Sequence, residues 1–534
     1  MAHSRTNDPA TPVKFEHMIF YALIALYAEY CILFIINTSF IVNGVRYFCL
    51  LDDAMISMRY AKNFAHGHGL VWNIGGQPVE GYTNFLWVLI MAMFHLLPIP
   101  PEKMSLAVQL LGMVIVCGNL FVVRRIALRL SDSAWVSIGS VVLTALYYPI
   151  NNWTLRGMEV GALLLIVNLV LWNVLVTMEG EKLPTFTLVV MAIGILIRTD
   201  IVVVFGGILL AVTVLQHRSR KPIEWRGYII VGLTLIGHTL FRFFYYGEPL
   251  PNTYYLKMTG VPLALRLHDG AVRLWDFMCD ASVFFFLVPL LLLFIYPSKR
   301  RIINLLLLTF CLQCAYSLFV GGDIFDAFLI ANRYLSIVMP IFFILVSWAF
   351  FALLDNLRFA LVIQTRRSQW DLKGLLYGSL IVFTLYSFNE RQIYCAAILA
   401  PALEVSKDEW RVSMALAVKK STTSDATIAV ASAGSIPYFT ERRAIDILGK
   451  NDRYIAHLDA RVTEEFLPGH NKWDYNYSIK SLSPDVIVEL WKNREEIQRY
   501  VEQNYTTVRV NERSLLYYRT SSPYVTTDVI TKGR

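Results

Sequence analysis

Long apolar runs separated by short polar stretches dominate the chain up to Phe388. Runs approaching the roughly 20 residues that cross a bilayer begin at Met18, Met104, Ser133, Gly161, Phe186, Ile201, Tyr228, Phe284, Ile302, Tyr334 and Leu375. The pattern predicts about eleven membrane-spanning helices, because in lipid only a helix or a closed barrel satisfies its own backbone. The first run extends from near His17 to near Val42. It is too long for the apolar core of a cleaved signal peptide and lacks a small-residue cleavage site, so it reads as a retained signal-anchor helix.

A further run, Tyr82 to Ile99, is ambiguous by length, and charge decides how it is read. If it does not cross, then Arg124, Arg125, Arg129, Lys182, the Arg218 to Arg226 cluster, Lys299 to Arg301, Arg358, Arg366 and Arg367 all share the side of the N-terminus. The positive-inside rule makes that side the cytoplasm. The run is therefore expected to be re-entrant or juxtamembrane, within a first outer loop covering 43–103. Tyr148 to Glu159, the Arg198-Thr199-Asp200 turn, Phe244 to Gly270 and Gly321 to Arg333 fall on the same outer face. Polar motifs concentrate there, while the inner loops are short and basic.

Past Phe388 the apolar density drops. Short or alternating apolar runs at Ala426 to Ala431, Ala444 to Leu448 and Asp485 to Leu490 predict strands, and Lys407 to Lys419 and Arg494 to Gln503 predict helices. The expected organisation is an α-helical polytopic membrane module over 1–388 and a small soluble α/β domain over 389–534 on the outer face. No internal repeat is visible.

Composition agrees with this picture. The 534 residues are 56% hydrophobic and 16% charged, against roughly 25% charged in a soluble globular domain, and the mean hydropathy is +0.49. The net charge of +8 sits in short clusters between apolar runs, where topology explains it and nucleic-acid binding does not. The seven cysteines have neither zinc-site spacing nor the look of a disulfide framework.

The first outer loop carries the densest chemistry, starting with Leu50-Leu51-Asp52-Asp53-Ala54-Met55-Ile56-Ser57-Met58-Arg59-Tyr60-Ala61. Adjacent carboxylates at a membrane exit have three readings: charges capping the helix that follows, a divalent-cation site, or a general base. His66 and His68 read as surface histidines, since no third metal ligand is evident. Glu29, within the first helix, is expected inside the bundle because a carboxylate facing lipid is costly. Candidate cations on the outer face are Arg59, Arg156, Arg198, Arg242, Lys257 and Arg333. Each has a second reading as an interfacial side chain snorkelling to headgroups. Arg156 with Glu159, and Arg198 with Asp200, are close enough in sequence to order a cavity wall by pairing.

Three stretches carry a resemblance: Asp52 to Ala61, His68-Gly69-Leu70-Val71-Trp72-Asn73, and Val79-Glu80-Gly81-Tyr82-Thr83-Asn84-Phe85-Leu86-Trp87. Together they resemble bacterial membrane glycosyltransferases of the C-type (GT-C) superfamily, nearest to the arabinofuranosyltransferases that terminate cell-wall arabinan and, more distantly, to the lipid A aminoarabinose transferase. The resemblance continues through Ile445-Asp446-Ile447-Leu448-Gly449 and Pro468-Gly469-His470-Asn471-Lys472-Trp473-Asp474.

That resemblance implies a sugar, arabinofuranose by preference, moved from a polyprenyl-phosphate donor to a glycan, glycolipid or protein hydroxyl on the outer face of a bacterial inner membrane. Asp52 or Asp53 would take the acceptor proton. Donor phosphate and sugar would be held by Arg59, Lys257, Arg333, Tyr82, Asn84, Asn252, Tyr255, His470 and Lys472. The resemblance fixes no cofactor; a divalent cation, if used, would sit on Asp52 and Asp53. Two other classes fit the pattern: a lipid-linked sugar flippase or transporter, which tends to place polar groups at the bilayer midplane, and a non-enzymatic envelope assembly protein.

Overall fold

The computed structural model describes residues 10–177, 182–328, 332–356, 363–365, 368–370, 372–461, 466–511 and 514–526. Arg358, Arg366 and Arg367 of the basic inner loops lie outside them. Each of the eleven apolar runs is helical. Among the described residues, seven helices are long and apolar enough to cross a membrane, from Glu16–Asn37 to Met339–Asn356. The pair Leu263–Asp280 and Val283–Ile295 is bent by 101°, as a broken span or a re-entrant loop would be. Ala134–Ala145 and Thr185–Ile197 have 12 and 13 residues, about 18–20 Å of helix against a hydrocarbon core of about 30 Å. The molecule is a multi-pass membrane protein.

Packing follows hydrophobicity. Val160–Thr177 and Met339–Asn356 are apolar all round and mostly buried, so they form the centre of the bundle. Peripheral helices expose large apolar side chains such as Phe244, Phe294 and Val382, as a lipid-facing surface requires. Glu29 corrects an expectation: it is exposed on Ala10–Asn37 rather than inside the bundle. Phe85–His95, in the ambiguous run, has 11 residues, about 16 Å of helix. It lies against Asp52–Ala65 and Thr185–Ile197.

The C-terminal region holds a five-stranded sheet in the order Arg443–Asp446, Thr427–Val430, Val486–Ile487, Ser514–Arg519, Tyr505–Asn511. The first three strands are parallel, with Thr427 opposite Arg443 and Ile428 opposite Val486, and the last two form an antiparallel hairpin. The three predicted strands and the two predicted helices, here Val405–Ser421 and Glu495–Asn504, are present. The hairpin was not predicted. Ser435–Thr440 packs against Asp52–Ala65, joining this domain to the first loop.

Candidate active site

Asp52 and Asp53 open the helix Asp52–Ala65, where a carboxylate favours the positive end of the helix dipole. Successive helical residues diverge by about 100°, and the two side chains meet different neighbours. Asp52 Oδ1 accepts from the Ser435 N–H at 2.8 Å and Oδ2 from the Gly434 N–H at 3.2 Å, with Arg411 Nε 3.9 Å away. A Cβ on Gly434 would stand 2.0 Å from the Asp52 carbonyl oxygen. Only glycine permits this approach, which seats the C-terminal domain on the first loop.

Asp53 points instead to open space. Its Oδ1 accepts from Lys450 Nζ at 2.5 Å and its Oδ2 from Arg333 Nη1 at 3.1 Å. Burial raises its pKa, but Lys450 and Arg333 outweigh that and hold the carboxyl well below the usual range. Arg333 also pairs with Asp323 at 2.7 Å. Both charges beside Asp53 are kept: burial works against them, and the carboxylates raise the pKa of Lys450 and Arg333. Asp52 and Asp53 do not fit a divalent-cation site, since backbone amides hold one and two basic side chains already neutralise the other. Among the described residues no group of three or more His, Cys, Asp or Glu could hold a metal.

Two cavities meet at Asp53. The first, about 310 Å³, is walled by the bundle, the first loop and the Pro468-Gly469-His470 turn. Five cations (Arg198, Arg242, Lys257, Arg333, Lys450) line it against three carboxylates (Asp53, Glu159, Asp200). Arg198 bonds Glu159 at 2.8 Å and Asp200 at 2.5 Å, the wall-ordering role expected of it. Arg242 Nε pairs with Glu80 at 2.8 Å, while its Nη2 is buried without a hydrogen bond. Burial pushes the Glu80 carboxyl up to about 7 against the pull of Arg242. Lys257 reaches the Tyr334 hydroxyl at 3.3 Å, and Arg198, Lys257 and Arg333 all lie within 6 Å of that ring.

The second cavity, about 890 Å³, lies between the bundle and the C-terminal domain and shares Asp53, Ile324, Lys450 and His470 with the first. Its charges balance: Asp52, Asp53, Glu404, Glu489 and Glu495 against Lys407, Arg411, Lys450, Lys492 and Arg494. His470 faces both cavities as a neutral imidazole, its pKa pushed down to about 3 by burial and by Lys450.

Of the residues read from the sequence, the structure gathers Asp53, Lys257, Arg333, Tyr82, Asn84 and His470 around the first cavity. Tyr82 shares a hydrogen bond with Tyr246 at 2.8 Å, and Asn84 donates to Glu159 at 2.9 Å. Asp52 lines only the second cavity. Arg59, Asn252, Tyr255 and Lys472 line neither. Arg59 stacks on Trp72 and donates to the carbonyls of Trp72, Pro437 and Arg442. Asn252 donates to Gly449, Lys450 and Asp452, and Lys472 to Tyr255, Thr259 and Ala456. Tyr255 stacks on His457 at 4.4 Å. These four bind the C-terminal domain to the membrane module. Arg156, expected to pair with Glu159, reaches Asp408 of the C-terminal domain instead. The residue missed was Lys450, immediately after the Ile445 to Gly449 motif.

Comparison with known proteins places the fold. Residues 400–527 match a family model described as a domain of unknown function (DUF8728). No curated protein matches the chain. Similar solved structures include ArnT from Cupriavidus metallidurans in the apo state (12% identity, 95% of this chain and 98% of that chain, TM-score 0.51). The same protein bound to undecaprenyl phosphate aligns over the same shares at 12% identity and a TM-score of 0.52. Archaeoglobus fulgidus oligosaccharyltransferase tethered with an acceptor peptide containing the NVT sequon aligns over 94% of this chain and 74% of that chain (10% identity, TM-score 0.52). The chain has the GT-C polytopic membrane fold with a small sheet-containing C-terminal domain.

Proposed function

We propose that the protein is a membrane glycosyltransferase that moves a sugar, with arabinofuranose as the preferred candidate, from a polyprenyl-phosphate donor to an acceptor hydroxyl of the cell envelope. In this reading 1–388 is the catalytic module and 389–534 a soluble domain, both the domain and the site facing the periplasm or exterior of a bacterial inner membrane. The observation that carries it is Asp53, held between Lys450 and Arg333 where a cation-rich cavity meets a second, polar one. The fold shared with a protein solved bound to undecaprenyl phosphate supports the donor class.

The chemistry follows from the charges. Donor phosphate enters the first cavity, where Lys257, Arg333, Lys450 and the unpaired Arg242 N–H line the wall as its donors. The acceptor oxygen forms a bond to the anomeric carbon as the bond from that carbon to the phosphate oxygen breaks, on the opposite face, with inversion. The acceptor proton passes to Asp53, and polyprenyl phosphate leaves carrying one more negative charge than the donor had, matched by the same cations. Free Asp53 is a weak base because two cations face it. A bound phosphate competes for Lys450 and Arg333 and lifts the proton affinity of Asp53, so the base strengthens when the donor is present.

Mass spectrometry of lipids copurified with the protein, followed by incubation with envelope acceptors, tests this reading. The expected result is a polyprenyl-phosphate pentose that is consumed as glycosylated acceptor appears. Movement of an intact lipid-linked sugar across proteoliposomes, with no covalent transfer, would overturn it in favour of a flippase.

A further inference from the structure

The first helix, Ala10–Asn37, holds two glutamates in opposite surroundings. Glu16 is buried and accepts from Arg124 Nη2 at 2.6 Å and from Ser137 Oγ at 3.1 Å. Glu29 is exposed, and among the described residues its carboxylate has no hydrogen bond or ion pair. It lies within the span Glu16–Asn37, about 20 Å along the helix from Glu16 and about 12 Å from Asn37. That is near the middle of a hydrocarbon core about 30 Å thick. Lysine and arginine reach the headgroups from such depths on their long stems, but a glutamate side chain is too short. Protonation removes the charge, yet a carboxyl without a hydrogen-bond partner in lipid is still costly.

The helix surface around Glu29 is patterned. Met18, Ala22, Ala25, Glu29, Ile32 and Ile36 are all exposed, and their spacing alternates between four and three residues. This is the 3.5-residue period of a seam between two helices that supercoil left-handedly. Ala22 and Ala25 leave room for a neighbouring backbone to approach closely. Glu29 is the single polar position in the seam, the kind that fixes register and partner. The other face of the helix is already used, against Pro101–Leu130, Ala134–Ala145 and Tyr148–Leu155.

We infer that this seam docks a transmembrane helix of another membrane protein, one that carries a lysine or arginine at the depth of Glu29. Charge decides the partner. In a symmetric dimer of this chain the seam would meet itself, setting one Glu29 carboxylate against the other. No other lipid-facing surface of the chain supplies a cation either: among the described residues of the seven candidate spans, Lys and Arg lie near the span ends or, like Arg242, are buried. An opposite charge neutralises both side chains at once, whereas a neutral hydrogen bond between membrane helices contributes little. This docking is independent of the chemistry at Asp53, so it stands or falls apart from the transferase reading.

Energy transfer in phosphatidylcholine liposomes, between the labelled full-length protein and labelled model peptides, tests it. The peptides are polyleucine transmembrane helices that differ only in a central Lys, Leu, Gln or Glu. The central-Lys peptide is expected to bind saturably and about tenfold tighter than the central-Leu peptide. Glu29→Leu should erase that preference, and Glu29→Lys should move it to the central-Glu peptide. Ala25→Leu should weaken central-Lys binding by about threefold or more, because docking needs close approach. All variants are compared at equal helical content by circular dichroism. Equal binding of the Lys and Leu peptides, equal binding of the Lys and Gln peptides, a preference that survives Glu29→Leu, or wild-type affinity in Ala25→Leu would overturn the inference. Energy transfer between copies of the protein that disappears in Glu29→Leu would also overturn it, in favour of a homodimer.

Discussion

The cavity inside the bundle carries five cations against three carboxylates, whereas the seam between the first loop and the C-terminal domain uses its polar groups on itself. Along the seam Arg59 and Lys472 are each surrounded by backbone carbonyls, Asn252 donates to three more, and Asp52 accepts two amides. Around the cavity, among the described residues, Arg242 keeps a buried N–H without a partner, and Lys257 has a single 3.3 Å hydroxyl contact. Buried polar groups are normally satisfied; among the described residues Asn252 Oδ1 and Arg156 Nε at the seam also lack partners, so the contrast rests on the donors at the cavity wall, the Arg242 Nη2 and the lightly held Lys257 amine, which an anion could take.

Four substitutions press on this contrast. The largest effect is expected at the seam from Arg156→Met, which leaves the fully buried Asp408 with Arg411 as its one cationic partner among the described residues. Losing one member of such a pair costs about 3–5 kcal/mol, read as a lowered midpoint in denaturant. Burial already pushes Asp408 up to about 6 against Arg156 and Arg411. A group raised in the folded state contributes stability in acid and loses it as pH rises from its unfolded value of about 4. The variant should therefore lose more stability at pH 7 than at pH 4. An unchanged midpoint would remove Arg156 as an anchor.

Lys450→Gln, at the cavity, should slow transfer about 10²-fold with little change in melting. Because Lys450 holds Asp53 down, the acid limb of the pH–rate profile should move to higher pH. A limb that stays in place would separate Lys450 from Asp53. Asn252→Ala reverses the pattern: about 1–2 kcal/mol of stability lost with the seam bonds, and near-normal turnover per folded molecule. At pH 7 the smallest effect is expected from His470→Gln. The folded His470 is neutral down to about pH 3, whereas an unfolded histidine protonates near pH 6.5, so wild-type stability should decline as pH falls through that window. The variant should decline less, as measured by melting at pH 7 and pH 4.5.

The parts legible in the sequence are those set by local physics. The eleven apolar runs are helical, the ones from Phe284 and Tyr334 in broken pieces, because the backbone in lipid has to satisfy itself. Three strands of the C-terminal sheet were readable from their apolar content, while the hairpin Tyr505–Asn511 and Ser514–Arg519 mixes charged and polar residues into its alternation and escaped notice. Asp53, Lys257, Arg333 and His470 were found because they sit in motif-rich loops on one face. Arg59 and Lys472 sit in the same motifs, yet they hold domains together, since motif membership says nothing of which way a side chain turns. Lys450 was missed because its partner lies 397 positions away, and a lysine after a glycine carries no local sign of that contact.

Asp52 and Asp53 carry the contrast in two neighbouring residues, one spent on the seam and one open to both cavities. Single-turnover transfer from a polyprenyl-phosphate sugar, measured for Asp53→Asn and Asp52→Asn at equal folded concentration, tests it most directly. The expected result is a loss of about 10²–10⁴ for Asp53→Asn, with Asp52→Asn melting earlier but keeping turnover within about tenfold of wild type. Wild-type turnover in Asp53→Asn, or a larger catalytic loss in Asp52→Asn, would contradict the assignment of Asp53 as the base.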